Sequence, residues 1–294
     1  MTRFLRNLAP LALALAAAFP AACDPVESNE VAGGKVNRLP ADDGDAGATT
    51  VFAVYADPHA VTPIHQRVCW GILGFSPDFA VLGGDCVYND VHDDEWSDFL
   101  EGSALLRETV PLLPVRGRHE GVEKFLSVFA TPNGLSYYSA DYRNLHLVAA
   151  DTDLPMDPAS PQGQWLAADL AAAASRPFTI VFHHQPVISS GNDFATGGRA
   201  ALAHLNPLLL AHGADLSLCG HEHFYERLEQ DGLTYMVVPP SGGEPRSRAL
   251  DHPASRRFAR SFGFCVVRAL PGALEVEAWG LDGRLLDRFQ VLPR

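Results

Sequence analysis

The sequence predicts an α/β fold, and three observations indicate it. Short apolar runs alternate with longer segments of helical period from residue 51 onward. Histidines, aspartates and glycines follow directly after several of these runs, where α/β folds bind their ligands. With 294 residues, 47% of them hydrophobic, the chain can bury a substantial core, so disorder and collagen-like repeats are excluded.

Strands and helices are predicted in alternation up to about residue 219. The predicted strands are short apolar runs at residues 51–55, 79–82, 111–115, 144–150, 178–182 and 215–219. The predicted helices lie at residues 62–74, from 92–95 onward, at 162–174 and at 197–212.

The pattern changes after Phe224. Four further strands are predicted, separated by turn signals that include Pro271-Gly272 and Asp282-Gly283, and this texture is typical of an antiparallel meander. These strands cover residues 233–238, 263–268, 273–279 and 285–292. No repeat or boundary interrupts the region, so residues 51–294 are predicted to form one domain.

The N-terminus has the features of an export signal at residues 1–22. Arg3 and Arg6 precede an apolar run that is too short to span a bilayer, and small residues follow it. Cys23 comes directly after two alanines, which resembles a bacterial lipobox and predicts a lipidated Cys23. The alternative is an ordinary signal peptide cut nearby. Either interpretation places the protein outside the cytoplasm, as a periplasm-facing or surface lipoprotein, or as a periplasmic or secreted protein.

Residues 23–50 are predicted to be a flexible linker because they are polar and lack an apolar period. The net charge of −13 argues against nucleic acid and anionic lipid as bulk partners, so contact with a membrane is expected only through the anchor at Cys23. A local group of arginines is the exception, either as a contact for an anionic substrate, above all at Arg246, or as a solvated face. The group comprises Arg246, Arg248, Arg256, Arg257 and Arg260.

Four further cysteines could pair in an exported protein. They permit three connectivities, and buried free thiols are the alternative. These residues are Cys69, Cys86, Cys219 and Cys265.

The residues with metal-ligand chemistry stand in a fixed order after predicted strands. Imidazoles and carboxylates are good ligands for zinc, manganese or iron, and a neighbouring glycine allows close approach of the backbone. The motifs are Asp57-x-His59, Gly84-Asp85, Gly117-x-His119-Glu120, His184-x-Pro186 and Gly220-His221-x-His223.

Together these motifs resemble the calcineurin-like metallophosphoesterase superfamily over about residues 50–270. Downstream segments are similar to the purple acid phosphatase branch and its bacterial relatives, among them Gly220-His221-Glu222-His223-Phe224-Tyr225-Glu226-Arg227 and the Ser241-Gly242-Gly243 turn. The resemblance implies a four-layer fold, in which two mixed β-sheets pack as a sandwich flanked by helices. It also implies hydrolysis of a small phosphorylated substrate.

The resemblance further implies a site for two metal ions, divalent or trivalent iron, zinc or manganese. Asp57, His59 and His223 would hold the first ion, Asp85 would bridge, and His184 and His221 would hold the second. A hydroxide shared by the two ions attacks phosphorus in line with the leaving oxygen in such sites. His119 matches the imidazole that protonates the leaving group or stabilises the transition state, and Glu120 would orient that imidazole.

Two ligand positions each have two candidate residues. Only one of His183 and His184 can face the site from a strand, and the family pattern selects His184. Tyr88 stands where purple acid phosphatases carry their coloured iron ligand, but those enzymes lack the histidine that is present here as His59. His59 is therefore expected to be the ligand and Tyr88 to pack, without a purple iron site.

Arg118 departs from the family, which has an asparagine ligand there. A guanidinium cannot bind a metal ion, so the second ion would lose a ligand, Arg118 would grip a phosphate, or its charge would replace the second ion. The fit of guanidinium to phosphate favours a contact with substrate.

The predicted function is hydrolysis of phosphate monoesters. The alternatives are a phosphodiesterase of the same fold and a non-catalytic one-metal relative that binds a phosphorylated ligand.

Overall fold

The structure is a computed structural model that describes residues 39, 43–45, 47–192 and 202–294. The predicted export signal, Cys23 and most of the predicted linker lie outside these residues. Leu39 packs against the central core and Asp43 pairs with Arg143, so these two linker residues contact the domain.

Thirteen strands are found in the described residues. In chain order they are β1 (Thr50–Tyr55), β2 (Phe79–Leu82), β3 (Leu112–Pro114), β4 (Tyr138–Tyr142), β5 (Leu145–Ala150), β6 (Phe178–His183), β7 (Leu216–Cys219), β8 (Tyr225–Gln230), β9 (Leu233–Val237), β10 (Ser255–Ala259), β11 (Gly263–Leu270), β12 (Ala273–Gly280) and β13 (Leu285–Val291).

Five α-helices lie between these strands in the same residues. They are α1 (Thr62–Leu73), α2 (Asp93–Thr109), α3 (Val122–Val128), α4 (Pro161–Ala172) and α5 (Leu202–Ala211), and a 3₁₀ turn at Ala173–Ser175 extends α4. Local chemistry explains their starts. The Ser160 hydroxyl accepts the N–H of Gly163 at the start of α4, directly before Pro161. The first turn of α2 is acidic, which suits the positive end of a helix dipole.

The strands form two mixed sheets. The six-stranded sheet has the order β13-β12-β11-β1-β2-β3, and β1, β2 and β3 run parallel. The seven-stranded sheet has the order β10-β8-β9-β7-β6-β5-β4, and β5, β6, β7 and β9 run parallel. This confirms the predicted α/β class and its two mixed sheets.

Three apolar layers hold the fold together. Side chains such as Phe52 on β1 and Ile180 on β6 fill the space between the sheets. Ile72 and Phe99, from α1 and α2, cover the outer face of the six-stranded sheet. Helices α4 and α5 cover the other sheet through side chains such as Leu166. The result is a four-layer arrangement of helices, sheet, sheet and helices.

The prediction for residues 233–238 was wrong in one respect. These residues form β9, which lies parallel to β7 in the seven-stranded sheet, whereas only β11, β12 and β13 make the antiparallel meander. The missed signal is Asp231-Gly232, because both residues have positive φ, of 53° and 78°, and turn β8 back into β9.

Three strands and one short helix were not predicted. Strands β4 and β10 are the edges of the seven-stranded sheet, and β8 lies next to β10. Edge strands bury few side chains, so their sequences are too polar to form an apolar run. Helix α3 spans only Val122–Val128.

The four cysteines of the described domain are buried, and none of them forms a disulfide with another described residue. The alternative without a disulfide is therefore the one that the structure shows. Cys69 lies in α1, whereas Cys219 and Cys265 lie in strands. No helix in residues 47–192 or 202–294 has the length and hydropathy needed to cross a membrane.

Candidate metal centre and active site

The site lies where the carboxyl ends of parallel strands from both sheets meet. The loops after β1 and β2 supply Asp57, His59 and Asp85. His184 follows β6, while His221 and His223 lie between β7 and β8. A single parallel bridge between Ala56 and Pro240 extends β1 and β9 toward each other beside the site. Six side chains from four segments of the chain therefore converge at one edge of the sandwich.

The first cluster consists of Asp57, His59 and His223. One candidate ligand atom from each residue lies within 4.8 Å of the others. The Nε2 atoms of the two imidazoles are 3.0 Å apart, and His223 Nε2 is 3.7 Å from Asp57 Oδ1. Two nitrogen ligands at about 2.0–2.1 Å from one tetrahedral ion would be about 3.3 Å apart, so this spacing fits a shared metal ion.

The second cluster consists of Asp85, His184 and His221. His184 Nε2 lies 3.0 Å from Asp85 Oδ2 and 3.2 Å from His221 Nδ1. Asp85 Oδ2 is also 3.9 Å from Nε2 of His59, a member of the first cluster. Asp85 therefore lies between the two clusters. All six side chains are buried, with no more than 4% of any residue exposed.

Backbone carbonyls orient two of the imidazoles. His184 Nδ1 lies 2.8 Å from the Gly83 carbonyl, and His223 Nδ1 lies 3.2 Å from the Glu244 carbonyl. A carbonyl only accepts, so Nδ1–H donates in each case and Nε2 points into the cluster. A ligand histidine in a metal site is commonly fixed in this way.

The electrostatics of the first cluster also fit a cation. Burial lowers the pKa of His59 to about 3 and that of His223 to about 4, the latter with help from the nearby Arg246 charge. Both rings are therefore neutral, as metal ligands must be. Burial raises the pKa of Asp57 well above its usual range. A cation held between these residues would offset the cost of burying the carboxylate.

The second cluster carries a proton where a cation would fit. Burial alone would raise the pKa of Asp85 and lower that of His184. Their mutual attraction reverses both effects, so the pKa of Asp85 is lowered and that of His184 is raised. A metal ion would replace this proton and take over the same charge interaction.

Backbone strain is concentrated in the six cluster residues. All except His184 have positive φ, with values of 52° for Asp57, 47° for His59, 53° for Asp85, 74° for His221 and 57° for His223. Such values are uncommon outside glycine and cost about 1–3 kcal/mol each.

Hydrogen bonds between the loops maintain this geometry. Asp57 N–H donates to the Gly84 carbonyl, His59 N–H donates to that of Asp85, and Gly243 N–H donates to that of Asp57. The strain is thus built into three adjoining loops, which aim the ligand side chains at common points.

Two glycines allow the loops to approach each other closely. A Cβ at Gly117 would overlap the backbone nitrogen and the carboxylate of Asp85, and a Cβ at Gly84 would meet Gly117 and the ring of His184. Gly84 also has a φ of +86°. This close approach explains the glycine that precedes Asp85 and the one that opens the loop at residues 117–120.

His119 lies at the rim of the site. Its side chain is 34% exposed, and its Nε2 is 3.8 Å from Asp85 Oδ2. The backbone N–H of His119 donates to Asp85 Oδ1 over 3.1 Å. The imidazole is therefore next to the clusters and accessible to a substrate. Arg118 beside it is exposed and belongs to neither cluster.

Glu120 is placed differently from its predicted role. Its buried carboxylate accepts backbone N–H groups from Gly117, Asp85 and Val87. The described residues contain no hydrogen bond between Glu120 and His119. The carboxylate thus supports the loop backbone of Asp85, because burial and three orphan N–H groups draw it inward.

The structure brings His184 to the site, as the family pattern selects. His183 instead bonds to the Gln185 carbonyl through Nδ1 and to the Ser217 hydroxyl through Nε2. Tyr88 stacks on the His59 ring with a centroid distance of 4.0 Å and is half exposed. It packs against a cluster residue, as expected from the sequence.

The five arginines of this group differ in their bonding. Arg246 is exposed, its backbone N–H donates to the His223 carbonyl, and no bond of its guanidinium is found in the described residues. The other four bond to carboxylates or carbonyls elsewhere. These are Arg248 to Asp251, Arg256 to Glu229, Arg257 to Leu286 and Arg260 to Pro245.

Sequence reasoning missed one buried ion pair behind the site. Arg116 Nε and Nη2 donate to the two carboxylate oxygens of Asp151 over 2.7 and 2.8 Å. Each residue directly follows a predicted apolar run, Arg116 after residues 111–115 and Asp151 after residues 144–150. The signal that revealed the metal ligands was therefore present at both positions.

Comparison with known proteins identifies the family. The family model for calcineurin-like phosphoesterases matches residues 50–225. Purple acid phosphatase 18 of Arabidopsis thaliana is 30% identical over 167 residues, which are 51% of this chain and 38% of that protein. Purple acid phosphatase 21 of the same plant is 28% identical over 52% of this chain and 39% of that protein. The chain thus spans about two fifths of the length of these relatives.

A solved structure shares the fold. Purple acid phosphatase PPD1 from yellow lupin seeds superposes with a TM-score of 0.75 at 18% identity, over 84% of this chain and 55% of that one. This likeness shows a common fold, while the family model gives the affiliation. The family model covers more than half of the sequence, so the chain belongs to the calcineurin-like phosphoesterase family.

Proposed function

We propose that the protein hydrolyses phosphate esters, with monoesters as its main substrates, and that it does so with two metal ions bound. The observation that carries this proposal is the meeting of two complete three-residue clusters at Asp85. Neither cluster depends on residue 118, so the asparagine missing there leaves three candidate ligands for the second ion.

The chain's own residues divide the remaining work. Metal ions in such a centre supply an activated water nucleophile and neutralise charge on the phosphoryl oxygens. Asp57, His59, Asp85, His184, His221 and His223 would hold them. The half-buried imidazole of His119, which is accessible from the rim, gives its proton to the leaving oxygen while the bond from that oxygen to phosphorus breaks. Asp85 keeps His119 in place through the His119 N–H.

The proposed location is the cell envelope. The features that support it lie in the sequence, in the export signal at residues 1–22 and in Cys23 after two alanines. We propose that a lipid on Cys23 anchors the protein and that residues 23–50 separate it from the membrane.

The test of the activity is release of phosphate from an aryl monoester by the purified protein, with manganese, zinc or iron added. We expect turnover that a chelator abolishes and that added metal restores. Activity on a bis-aryl diester alone would favour the phosphodiesterase alternative. A folded protein that binds metal and phosphate without turnover of either ester would favour the non-catalytic relative.

Arg246 and Arg118 are proposed to contact the anionic substrate. Both are exposed. The positive charge of Arg246 acts to lower the pKa of Asp57 and that of His223 in the first cluster. A hydrogen bond to a charged group contributes about 1.5–3 kcal/mol. We therefore expect Arg246→Gln to lower kcat/KM for an aryl monoester about 10- to 100-fold, and Arg118→Gln to lower it in the same direction.

The matched control is Arg248→Gln, because Arg248 lies two positions away but pairs with Asp251. It should leave kcat/KM unchanged. A monoester carries more negative charge than a diester, so the loss in Arg246→Gln should be larger for the monoester. Equal losses in Arg246→Gln and Arg248→Gln would contradict a specific role for Arg246.

A further inference from the structure

We infer that Arg116 is a positioning residue, which holds the loop at residues 117–120 and thereby places His119 for proton transfer. The inference rests on the proposed function for its kinetic part. Arg116 follows β3 in the six-stranded sheet, and its partner Asp151 follows β5 in the seven-stranded sheet. The ion pair therefore connects the two sheets directly behind the loop that carries His119.

The guanidinium reaches both ends of this loop. Arg116 Nη1 donates to the Glu120 carbonyl over 2.6 Å and to the Gly117 carbonyl over 3.5 Å. Nε and Nη2 form the two bonds to Asp151. A planar fork with fixed donors can make this set of bonds at once, whereas a lysine ammonium cannot.

Asp151 is itself held rigidly. The Ser136 hydroxyl donates to its Oδ2 over 2.6 Å, and its backbone N–H donates to the Gln162 side chain over 2.8 Å. Its side chain is fully buried, and that of Arg116 is 7% exposed. The ion pair of Arg116 and Asp151 therefore has little conformational freedom, and it fixes the loop relative to the two sheets.

The opposite side of the loop faces the metal clusters. Asp85 Oδ1 accepts the His119 N–H, and the Glu120 carboxylate accepts N–H groups of both Gly117 and Asp85. The loop is thus held between Asp85 on one side and Arg116 on the other. Without Arg116, the carbonyls of Gly117 and Glu120 lose this donor, and the loop that carries His119 loses its support on the side away from the clusters.

The kinetic test compares two monoesters with different leaving groups. An alkyl phosphate needs a proton on its leaving oxygen, whereas 4-nitrophenyl phosphate needs it much less. We expect Arg116→Gln to lower kcat/KM about 100-fold for the alkyl ester and less than about 10-fold for the nitrophenyl ester, since general acids contribute about 10²–10⁴-fold. His119→Gln should show the same selectivity, and the double variant should be no worse than His119→Gln.

Arg227→Gln is the matched control. Arg227 on β8 pairs with Asp287 on β13, so it also connects the two sheets through a largely buried ion pair. Its replacement should destabilise the protein without changing the ratio of the two kcat/KM values. If Arg116→Gln fails to fold, Asp151→Asn replaces it, because this change keeps the shape and removes the charge.

A second readout does not depend on activity. Hydrogen exchange of amides 117–120 should become at least about tenfold faster in Arg116→Gln and stay unchanged in Arg227→Gln. If the wild-type protein hydrolyses neither ester, the proposed function fails and the exchange result alone decides the placement of the loop. Unchanged exchange at these amides, or an equal loss on both esters, would overturn the inference.

Discussion

Replacement of Asp85 by asparagine is expected to lower kcat/KM for an aryl monoester at least about 1,000-fold and to reduce bound metal to about one ion per chain or fewer. The Asp85 carboxylate approaches imidazole rings of both clusters, that of His184 at 3.0 Å and that of His59 at 3.9 Å. Loss of metal charge from the centre removes several kcal/mol of transition-state stabilisation, and each 1.4 kcal/mol is about tenfold in rate.

Asparagine keeps the shape of the side chain and its Oδ1 acceptor for the His119 N–H, so the loop at residues 117–120 should remain in place. The control is Asp215→Asn. Asp215 is also buried, but it accepts backbone N–H groups of Thr179 and Arg294 and belongs to neither cluster. The Asp215→Asn variant should be less stable than the wild-type protein and should keep its bound metal. Full metal content and activity in Asp85→Asn would contradict the bridging role.

Replacement of His65 by leucine is expected to stabilise the protein at acidic pH by an amount that grows as the pH falls. His65 lies in α1, fully buried between the rings of Tyr55 and Phe99. Neither of its ring nitrogens has a hydrogen-bond partner in the described residues. Burial, helped by the Arg107 charge, lowers the pKa of His65 to about 3.

The direction follows from proton binding. Below the unfolded-state pKa of about 6.5, the unfolded chain takes up a proton at His65, whereas the folded chain takes one up only near pH 3. Stability is therefore lost as the pH falls from about 6.5 to about 3. Each pKa unit is worth about 1.4 kcal/mol, so the loss at pH 5 is about 2 kcal/mol.

Urea unfolding of wild type and His65→Leu at pH 7 and pH 5 measures this effect. The free-energy difference between the two proteins should shift by about 2 kcal/mol in favour of leucine at pH 5. The control is His204→Gln in α5, where the side chain is exposed and no shift between the two pH values is expected. A difference that is the same at both pH values would show that His65 does not titrate as a buried neutral group.

The sequence predicted the parts of the fold that bury apolar runs. Strands such as β2 and β6 have unbroken apolar segments, and their positions agree closely with the prediction. Strands β4 and β10 were missed because an edge strand needs little apolar surface. The sheet to which β9 belongs was also out of reach, since strand pairing is a long-range choice that composition does not express.

The residues of the candidate site were predictable where they belong to recognisable sequence motifs. Cluster residues such as Asp57 and His221 carry ligand-type groups after strands, and the resemblance assigned them to the same two groups that the structure brings together. The role of Glu120 was not predictable, because its partners are backbone N–H groups of Asp85 and Val87 that no sequence pattern marks. The pair of Arg116 and Asp151 was overlooked because neither residue belongs to a motif of the family, and the bond between them is visible only in the fold.

The most direct test of the central claim is anomalous diffraction from crystals of the metal-loaded protein. We expect two peaks about 3.5–4 Å apart, one surrounded by Asp57, His59 and His223 and the other by His184 and His221, with Asp85 between them. A single peak, or a first ion bound by Tyr88 in place of His59, would contradict the two-cluster centre.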